Sequence, residues 1–370
     1  MRVYLLVLVV TAAVTYLMTP LSRWLALRWH AITAVRDRDV HAVPTPRLGG
    51  TAMYLGLLVA VLVASRLPFL GTVYGNPRPL VGIVGGATIV VLLGAADDVW
   101  DLDWLTKLIG QVLAAGFLAW QGVLLYQMPL FGVTAWSTRI SIFVTVLSVV
   151  VAMNAVNFVD GLDGLAAGVL AIGGSAFLLY SYLLTIGSNP GDYASLATLV
   201  LAMLVGMCAG FLPHNLYPAR IFMGDSGSML LGFVMAAAAI IVTGQIDPQS
   251  VSHRASFPAY LPMMLPLAVL VLPLLDMALA VIRRVSAGKS PFHPDRRHLH
   301  HRLLALGHSQ RRAVAIMYVW TGVFAFGAAA LVRWSTTTVL IGVGAAVIVA
   351  TVLTLGPLRG RSTPNLEATP

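Results

Sequence analysis

Four stretches of this chain carry groups able to do chemistry. "GAADDVWDLDWLTKLIGQ" sets Asp97 and Asp98 side by side, with Lys107 nine residues after Asp98. "NAVNFVDGLDGLAAG" supplies Asn154 and then Asn157, Asp160 and Asp163 at three-residue spacing, among Gly161, Gly164 and Gly168. "RIFMGDSGSMLLGF" holds Asp225 among Gly224, Ser226, Gly227 and Ser228. "RRVSAGKSPFHPDRRHLHHRL" collects His298, His300 and His301 beside Arg296, Arg297 and Arg302.

Adjacent carboxylates repel, so Asp97 and Asp98 need a cation or a proton to coexist in a partly dehydrated place. If residues 157–163 form one helical turn, or a tight turn leading into one, Asn157, Asp160 and Asp163 share a face and offer oxygens to a hard cation or a phosphate. A capped glycine turn explains any one of these residues but not the cluster. Asp225 reads as an N-cap at the least. Its charge is better explained by Mg2+, which takes one or two protein oxygens and completes its shell with water and substrate phosphates. Asn157 and Asp225 suit that sparse set. The histidines do not converge on zinc at one- and two-residue spacing, and no cysteine assists; with the arginines they read as donors to phosphate oxygens and a nucleotide.

These groups must be positioned by elements of an unusual kind. Only 10% of the 370 residues are charged and 58% are hydrophobic, whereas an average soluble domain is roughly 25% charged. Apolar runs long enough to cross a bilayer, about 20 helical residues each, are centred in 3–22, 51–67, 80–96, 107–126, 140–156, 165–186, 194–212, 228–243, 258–282, 313–332 and 336–356. The pattern predicts an all-α integral membrane protein of about eleven spans, because barrel strands would alternate apolar and polar residues. Residues 1–357 read as one polytopic membrane domain and 358–370 as a disordered tail.

The net charge of +9 points to a membrane orientation rather than to nucleic acid, since the basic residues are unevenly placed. With the C-terminus inside, 17 of the 23 Lys and Arg fall in inner segments, Arg47 and Lys107 among them. The positive-inside bias therefore predicts an outer N-terminus and a cytoplasmic C-terminus. Of the 14 acidic residues only Asp192 and Asp247 fall outside, and Asp276 lies within a span, where an ionisable group is functional by default. The chemistry is expected at the cytoplasmic face. Cys208 sits in an apolar run and reads as a small buried hydrophobe.

The four stretches, in this order and on one face, resemble the signature blocks of the polyprenyl-phosphate N-acetylhexosamine-1-phosphate transferases, and the likeness covers nearly the whole chain. It implies Mg2+-dependent transfer of a sugar-1-phosphate from a UDP-sugar to polyprenyl phosphate, releasing UMP, with Mn2+ as a substitute metal. It also implies that Asp97, Asp98, Lys107, Asn157, Asp160, Asp163, Asp225 and the histidines line the site. The expected division is catalytic work for Asp97, Asp98, Lys107, Asp160 and Asp163, metal binding by Asn157 and Asp225, and substrate binding by Asn154, Asp276, Arg296, His298, His300, His301 and Arg302. The "PDRRHLHHRL" form resembles the branch using UDP-N-acetylglucosamine, and the Ala-, Val- and Arg-rich composition resembles actinobacterial members with a decaprenyl lipid. Relatives of this kind suggest a homodimer in the plasma membrane.

Three other readings remain. The peptidoglycan branch, using UDP-N-acetylmuramoyl-pentapeptide, usually has ten spans and a different histidine segment. A lipid-linked-sugar transporter would need charges in the middle of several spans and repeated halves, and here only Asp276 qualifies. A lipid-binding scaffold would have no need of clustered acids.

Overall fold

A computed structural model describes residues 1–32, 44–128, 134–188, 194–244, 267–286, 288 and 299–356. Among these residues the chain is almost wholly helical. The helices are α1 (Arg2–Arg28), α2 (Gly49–Ala64), the short α3 (Gly71–Gly75), α4 (Arg78–Trp100), α5 (Trp104–Trp120), α6 (Thr138–Val159), α7 (Leu165–Ser188), α8 (Leu196–Asn215), α9 (Gly224–Gly244), α10 (Val271–Ser286), α11 (Leu299–Ala305), α12 (Gln310–Ala330) and α13 (Thr336–Leu355). Among the described residues the departures from an all-α chain are a two-residue antiparallel pairing, Gln127↔Ala135 and Met128↔Thr134, and two isolated bridges, Ile32↔Pro46 and Arg47↔Phe222.

Eight of these helices are long and apolar enough to span a bilayer, and α2 with the segment after it makes a ninth candidate, bent by 96°. They lie on the apolar runs of the sequence. Of the runs that fall short, 107–126 forms the 17-residue α5, and 258–282 lies partly outside the described residues.

Helix α9 is the hub. It packs against α2, α4, α6 and α8, and 83% of its most apolar window is buried, against 11% for α13. Small residues make this possible, because without a hydrophobic force between lipid-embedded helices close backbone approach must hold them together. A side chain at Gly94 of α4 would strike the backbone of Ser226, one at Gly50 of α2 the backbone of Gly227, and one at Gly232 that of Met153 in α6. On α1 the buried face is a ladder of Tyr4, Val7, Thr11, Thr15, Thr19, Ser22 and Ala26, a period of three to four that turns one stripe onto α2 and α8. Two of its hydroxyls return to their own helix, Thr11 Oγ1 to the Val7 carbonyl and Thr19 Oγ1 to the Thr15 carbonyl, each at 2.7 Å, and Ser22 meets Thr51 of α2 at 2.8 Å.

Up-and-down packing brings segments far apart in sequence to common ends of the bundle. At one end, Arg23 Nε donates to the Arg220 carbonyl at 3.1 Å, and His308 Nε2 lies 2.8 Å from the Thr354 carbonyl. At the other, the N-terminal amine donates to the Tyr182 hydroxyl at 3.0 Å, and the Ser195 amide to the Tyr4 hydroxyl at 2.7 Å. The first end is where α4 and α6 finish and α5 and α9 begin, and the acidic stretches lie there.

Candidate active site

Asp225, in the first turn of α9, is the centre of this arrangement. Lys107 Nζ lies 3.2 Å from Asp225 Oδ2 and 2.7 Å from Asp97 Oδ2. The side chains of Asp97 and Asn157 are both within hydrogen-bonding reach of the Asp225 carboxylate. Four helices thus each contribute one polar group: α4 Asp97, α5 Lys107, α6 Asn157 and α9 Asp225. Lys107 is the cation for Asp97, one member of the adjacent pair.

The neighbours Asp97 and Asp98 coexist because they turn to different partners. Asp97 accepts the Leu102 amide at 2.8 Å, which folds the α4–α5 turn back onto it. Asp98, 7% exposed, crosses to α9. It accepts the amide of Asp225 at 2.9 Å, the amide of Ser226 at 3.3 Å and the Ser226 hydroxyl at 2.9 Å. Orphan amides at a helix start attract a carboxylate, and here the cap comes from another helix. Asp225 is therefore not the cap of α9; its carboxylate is left to face Lys107 and Asn157. Gly224 allows this, because it has φ +70° and any side chain there would strike the Asp98 carboxylate.

The expectation of one shared face for Asn157, Asp160 and Asp163 does not hold. Helix α6 ends at Val159, so the three-residue spacing passes from helix into turn and the side chains diverge. Asn157 reaches Asp225, whereas Asp163 Oδ2 accepts the Ala219 amide at 2.9 Å. The turn is clamped further by Asn215, whose Oδ1 accepts the Gly164 amide at 3.0 Å while its Nδ2 donates to the Ile221 carbonyl at 3.0 Å. Tyr318 donates to the Gly164 carbonyl at 2.5 Å. Asp160, half-buried at the turn, feels Asp225, Asp98 and Asp163. Burial first, then these charges, raises its carboxyl to about 8, with Arg47 opposing.

The remaining residues are placed as follows. Asn154, one turn before Asn157, donates to Gln111 Oε1 at 2.7 Å and to the Val150 carbonyl at 2.8 Å. Gln111 in turn donates to Met229 Sδ at 3.1 Å, so Asn154 ties α5, α6 and α9 together beneath the acids. Asp276, 2% exposed in α10, accepts the Leu299 amide at 2.9 Å. It fixes the start of α11, the helix that carries His300, His301 and the exposed Arg302. For His300 and His301 the backbone alone is described, and Arg296 and His298 lie outside the described residues. In sequence Ser226 stands only as a neighbour of Asp225 and Arg47 only as an inner-segment charge, and Gln111 and Asn215 do not stand out at all. Only Ser226, set between the glycines of "GDSG", carried a local signal.

Among the described residues no group of three or more His, Cys, Asp or Glu side chains is arranged to hold a metal ion. The Asp225 carboxylate is a hard oxygen donor, and Asn157, whose amide reaches it, carries a second hard oxygen on the same side chain. That set suits Mg2+ with most of its shell left to water and phosphate, and does not suit a soft metal.

Comparison with known proteins identifies the family. The model of glycosyl transferase family 4 matches residues 80–243. A decaprenyl-phosphate N-acetylglucosaminephosphotransferase from Mycolicibacterium smegmatis is 44% identical over 98% of this chain and 90% of its own. The chain belongs to glycosyl transferase family 4. A second relative of the same description, from Mycobacterium tuberculosis, is 45% identical over 98% of this chain and 90% of its own. A probable undecaprenyl-phosphate N-acetylglucosaminyl 1-phosphate transferase from Bacillus subtilis is 30% identical over 87% of this chain and 83% of its own. The segment that matches the family 4 model contains Asp97, Asp98, Lys107, Asn157, Asp160, Asp163 and Asp225, and leaves out both Arg47 and α11.

Proposed function

We propose that this membrane protein transfers N-acetylglucosamine-1-phosphate from UDP-N-acetylglucosamine to a polyprenyl phosphate. The products are polyprenyl-diphosphate-N-acetylglucosamine and UMP. The observation that carries the reading is the convergence of Lys107, Asp97 and Asn157 on Asp225 at one end of the bundle. The names of the relatives, two of them decaprenyl-phosphate enzymes, supply the substrates and favour a decaprenyl carrier.

The layout answers one physical problem. The acceptor phosphate sits at the bilayer surface and the donor is a soluble anion, so the two must meet at the interface with their charge neutralised. An oxygen of the prenyl phosphate attacks the β-phosphorus of the donor, the bond from that phosphorus to the bridging oxygen breaks, and UMP leaves with that oxygen. Phosphoryl transfer of this kind depends mostly on positioning and charge compensation. The second pKa of a phosphomonoester is near 6, so the acceptor is already ionised at neutral pH and no strong general base is needed.

Asn157 and Asp225 would hold Mg2+, which when bound neutralises phosphate oxygens. Lys107 orients Asp225 and supplies positive charge beside it, Asp97 fixes Lys107, and Asp98 fixes the turn from which Asp225 projects. Asp160 and Asp163 keep the α6–α7 turn acidic and in place. Asp276 seats α11, whose His300, His301 and Arg302, with the preceding Arg296 and His298, are donors to the nucleotide and its phosphates.

The count of eleven spans, the outer N-terminus, the cytoplasmic C-terminus and site, the plasma-membrane location and a homodimer belong to the same proposal. The orientation is supported by the inner-segment excess of Lys and Arg and by the meeting of the α4–α5, α6–α7 and α8–α9 turns at one end of the bundle. The span count is supported by the eleven apolar runs, and the homodimer by resemblance to relatives alone.

The test of the reaction is the identity of the lipid product. Purified protein with UDP-N-acetylglucosamine, decaprenyl phosphate and Mg2+ is expected to give a lipid heavier by one N-acetylglucosamine-1-phosphate, together with UMP. A product in which only the sugar is added, with UDP released, would replace the reaction by ordinary glycosyl transfer.

A further inference from the structure

Arg47 lies outside the family 4 match and in sequence looks like one more inner-loop charge. Its backbone is nonetheless built into the site. The Arg47 amide donates to the Ala31 carbonyl at 2.9 Å, and the Phe222 amide to the Pro46 carbonyl at 2.8 Å. Arg47 and Phe222 form a parallel bridge, three residues before Asp225. Immediately after Arg47, the Gly49 amide donates to the Phe222 carbonyl at 3.1 Å and the Gly50 amide to the Met223 carbonyl at 2.9 Å.

The strap is anchored on both sides. Leu48 is buried with Ala26 and Ala31 against Ala95 and Val99, which flank Asp97 and Asp98, and it adopts φ 130°, a costly conformation for a branched residue. Gly49 and Gly50 are closed in by the Phe211 ring and by the backbone of Ser226 and Gly227. Arg28, at the end of α1, is held differently: it lies over the Trp24 ring at 5.4 Å, as an interfacial anchor does. A charge needed only for membrane orientation requires no such socket. Arg47 is half-buried, and its charge is near enough to Asp160 to oppose those of Asp225, Asp98 and Asp163. Lys107 serves different acids, Asp97 and Asp225. Two phosphorylated reactants bring more negative charge than one lysine answers.

We propose that Arg47 is a substrate-binding residue that holds a phosphate group of one of the two reactants beside Asp160. This rests on the transferase reading above. Guanidinium suits the task, because its fork can grip two phosphate oxygens at once and it stays charged in a dehydrated place.

The experiment is binding in detergent with Mg2+ present, measured by calorimetry for UDP-N-acetylglucosamine and for decaprenyl phosphate separately. The proteins are the wild type, Arg47→Gln, Arg47→Lys, Asp160→Asn and the double variant Arg47→Gln/Asp160→Asn. Arg47→Gln is expected to weaken one ligand by about tenfold or more, the loss typical of a charge-assisted hydrogen bond, with Arg47→Lys recovering part of it. The ligand affected tells whether the nucleotide or the lipid phosphate is gripped. A cation that merely neutralised Asp160 would lose its effect once Asp160 is Asn, so the proposal requires the tenfold loss to persist in the double variant. Unchanged affinity for both ligands in Arg47→Gln, or a loss that vanishes in the double variant, overturns the role of Arg47. A wild type that binds neither ligand overturns the transferase reading instead. Arg47→Lys keeps the charge and the strap, so should Arg47→Gln fail to fold, wild-type affinity in Arg47→Lys for both ligands would count against a two-pronged grip.

Discussion

Asp98 caps the helix on which Asp225 stands, its Oδ1 accepting the Asp225 amide at 2.9 Å across 127 residues of sequence. The adjacent acids of α4 therefore differ in kind: Asp97 faces Lys107, and Asp98 builds the α9 N-terminus. Asp98→Ala is expected to destabilise the protein by about 1–3 kcal/mol through the unpaired amides and the lost cap, whereas Asp98→Asn, which keeps an acceptor, loses less. Thermal melts of the two variants check this. Equal melting temperatures for Asp98→Ala and wild type would remove the capping role.

Lys107 is expected to act on the rate. In Lys107→Met the Asp97 and Asp225 carboxylates lose their common cation, and kcat should fall by about two to three orders of magnitude, the range seen when one preorganised charge-stabilising donor is lost. Lys107→Arg should keep part of the activity. Steady-state UMP release measures both, and a kcat for Lys107→Met within threefold of wild type would show that the pair is structural only.

Asp160 gives a pH signature. An ordinary aspartate titrates near 4, and Asp160 in the folded protein is raised to about 8 by burial and then by Asp225 and Asp98. The folded state thus holds this proton more tightly than the unfolded chain, so the stability it contributes is full below about pH 4 and is lost as pH rises through about 8. Asp160→Asn has no proton to lose. Without divalent cations, its melting temperature relative to wild type should climb steadily between pH 5 and pH 8.5, and a difference that stays flat over that range would contradict the assignment.

Asp276 is expected to work through α11. Losing the acceptor for the Leu299 amide should free residues 299–305, so Asp276→Ala should speed amide hydrogen exchange there and raise the KM for the UDP-sugar. Asp276→Asn should do less of both. Unaltered exchange in α11 with an altered KM would make Asp276 a direct substrate ligand.

Much of this site is legible in sequence because of contrast: Asp97, Lys107, Asn157 and Asp225 stand out as polar groups at the ends of apolar runs, where each has a cost that demands a reason. Helix positions were legible for the same cause. The roles that escaped depend on partners far away in the chain. Asp98 looks like a twin of Asp97 until α9 is placed against it, and Asp163 looks like a third ligand until α6 stops at Val159 and its carboxylate finds the Ala219 amide. Asn154 shares a motif with Asn157 but lies one turn deeper, where Gln111 of α5 meets it. Arg47 could not be told from other basic loop residues, because what distinguishes it is a backbone strap against residues 222 and 223.

The central claim is that Asp225, with Asn157, holds the divalent cation that lets the two phosphates react. The most direct measurement is UMP release from UDP-N-acetylglucosamine and decaprenyl phosphate across a Mg2+ titration, for wild type and Asp225→Asn. The account predicts that wild-type release is abolished by EDTA and restored by Mg2+, and that Asp225→Asn stays inactive at every Mg2+ concentration. Asp225→Asn releasing UMP at the wild-type rate with the same Mg2+ dependence would contradict it.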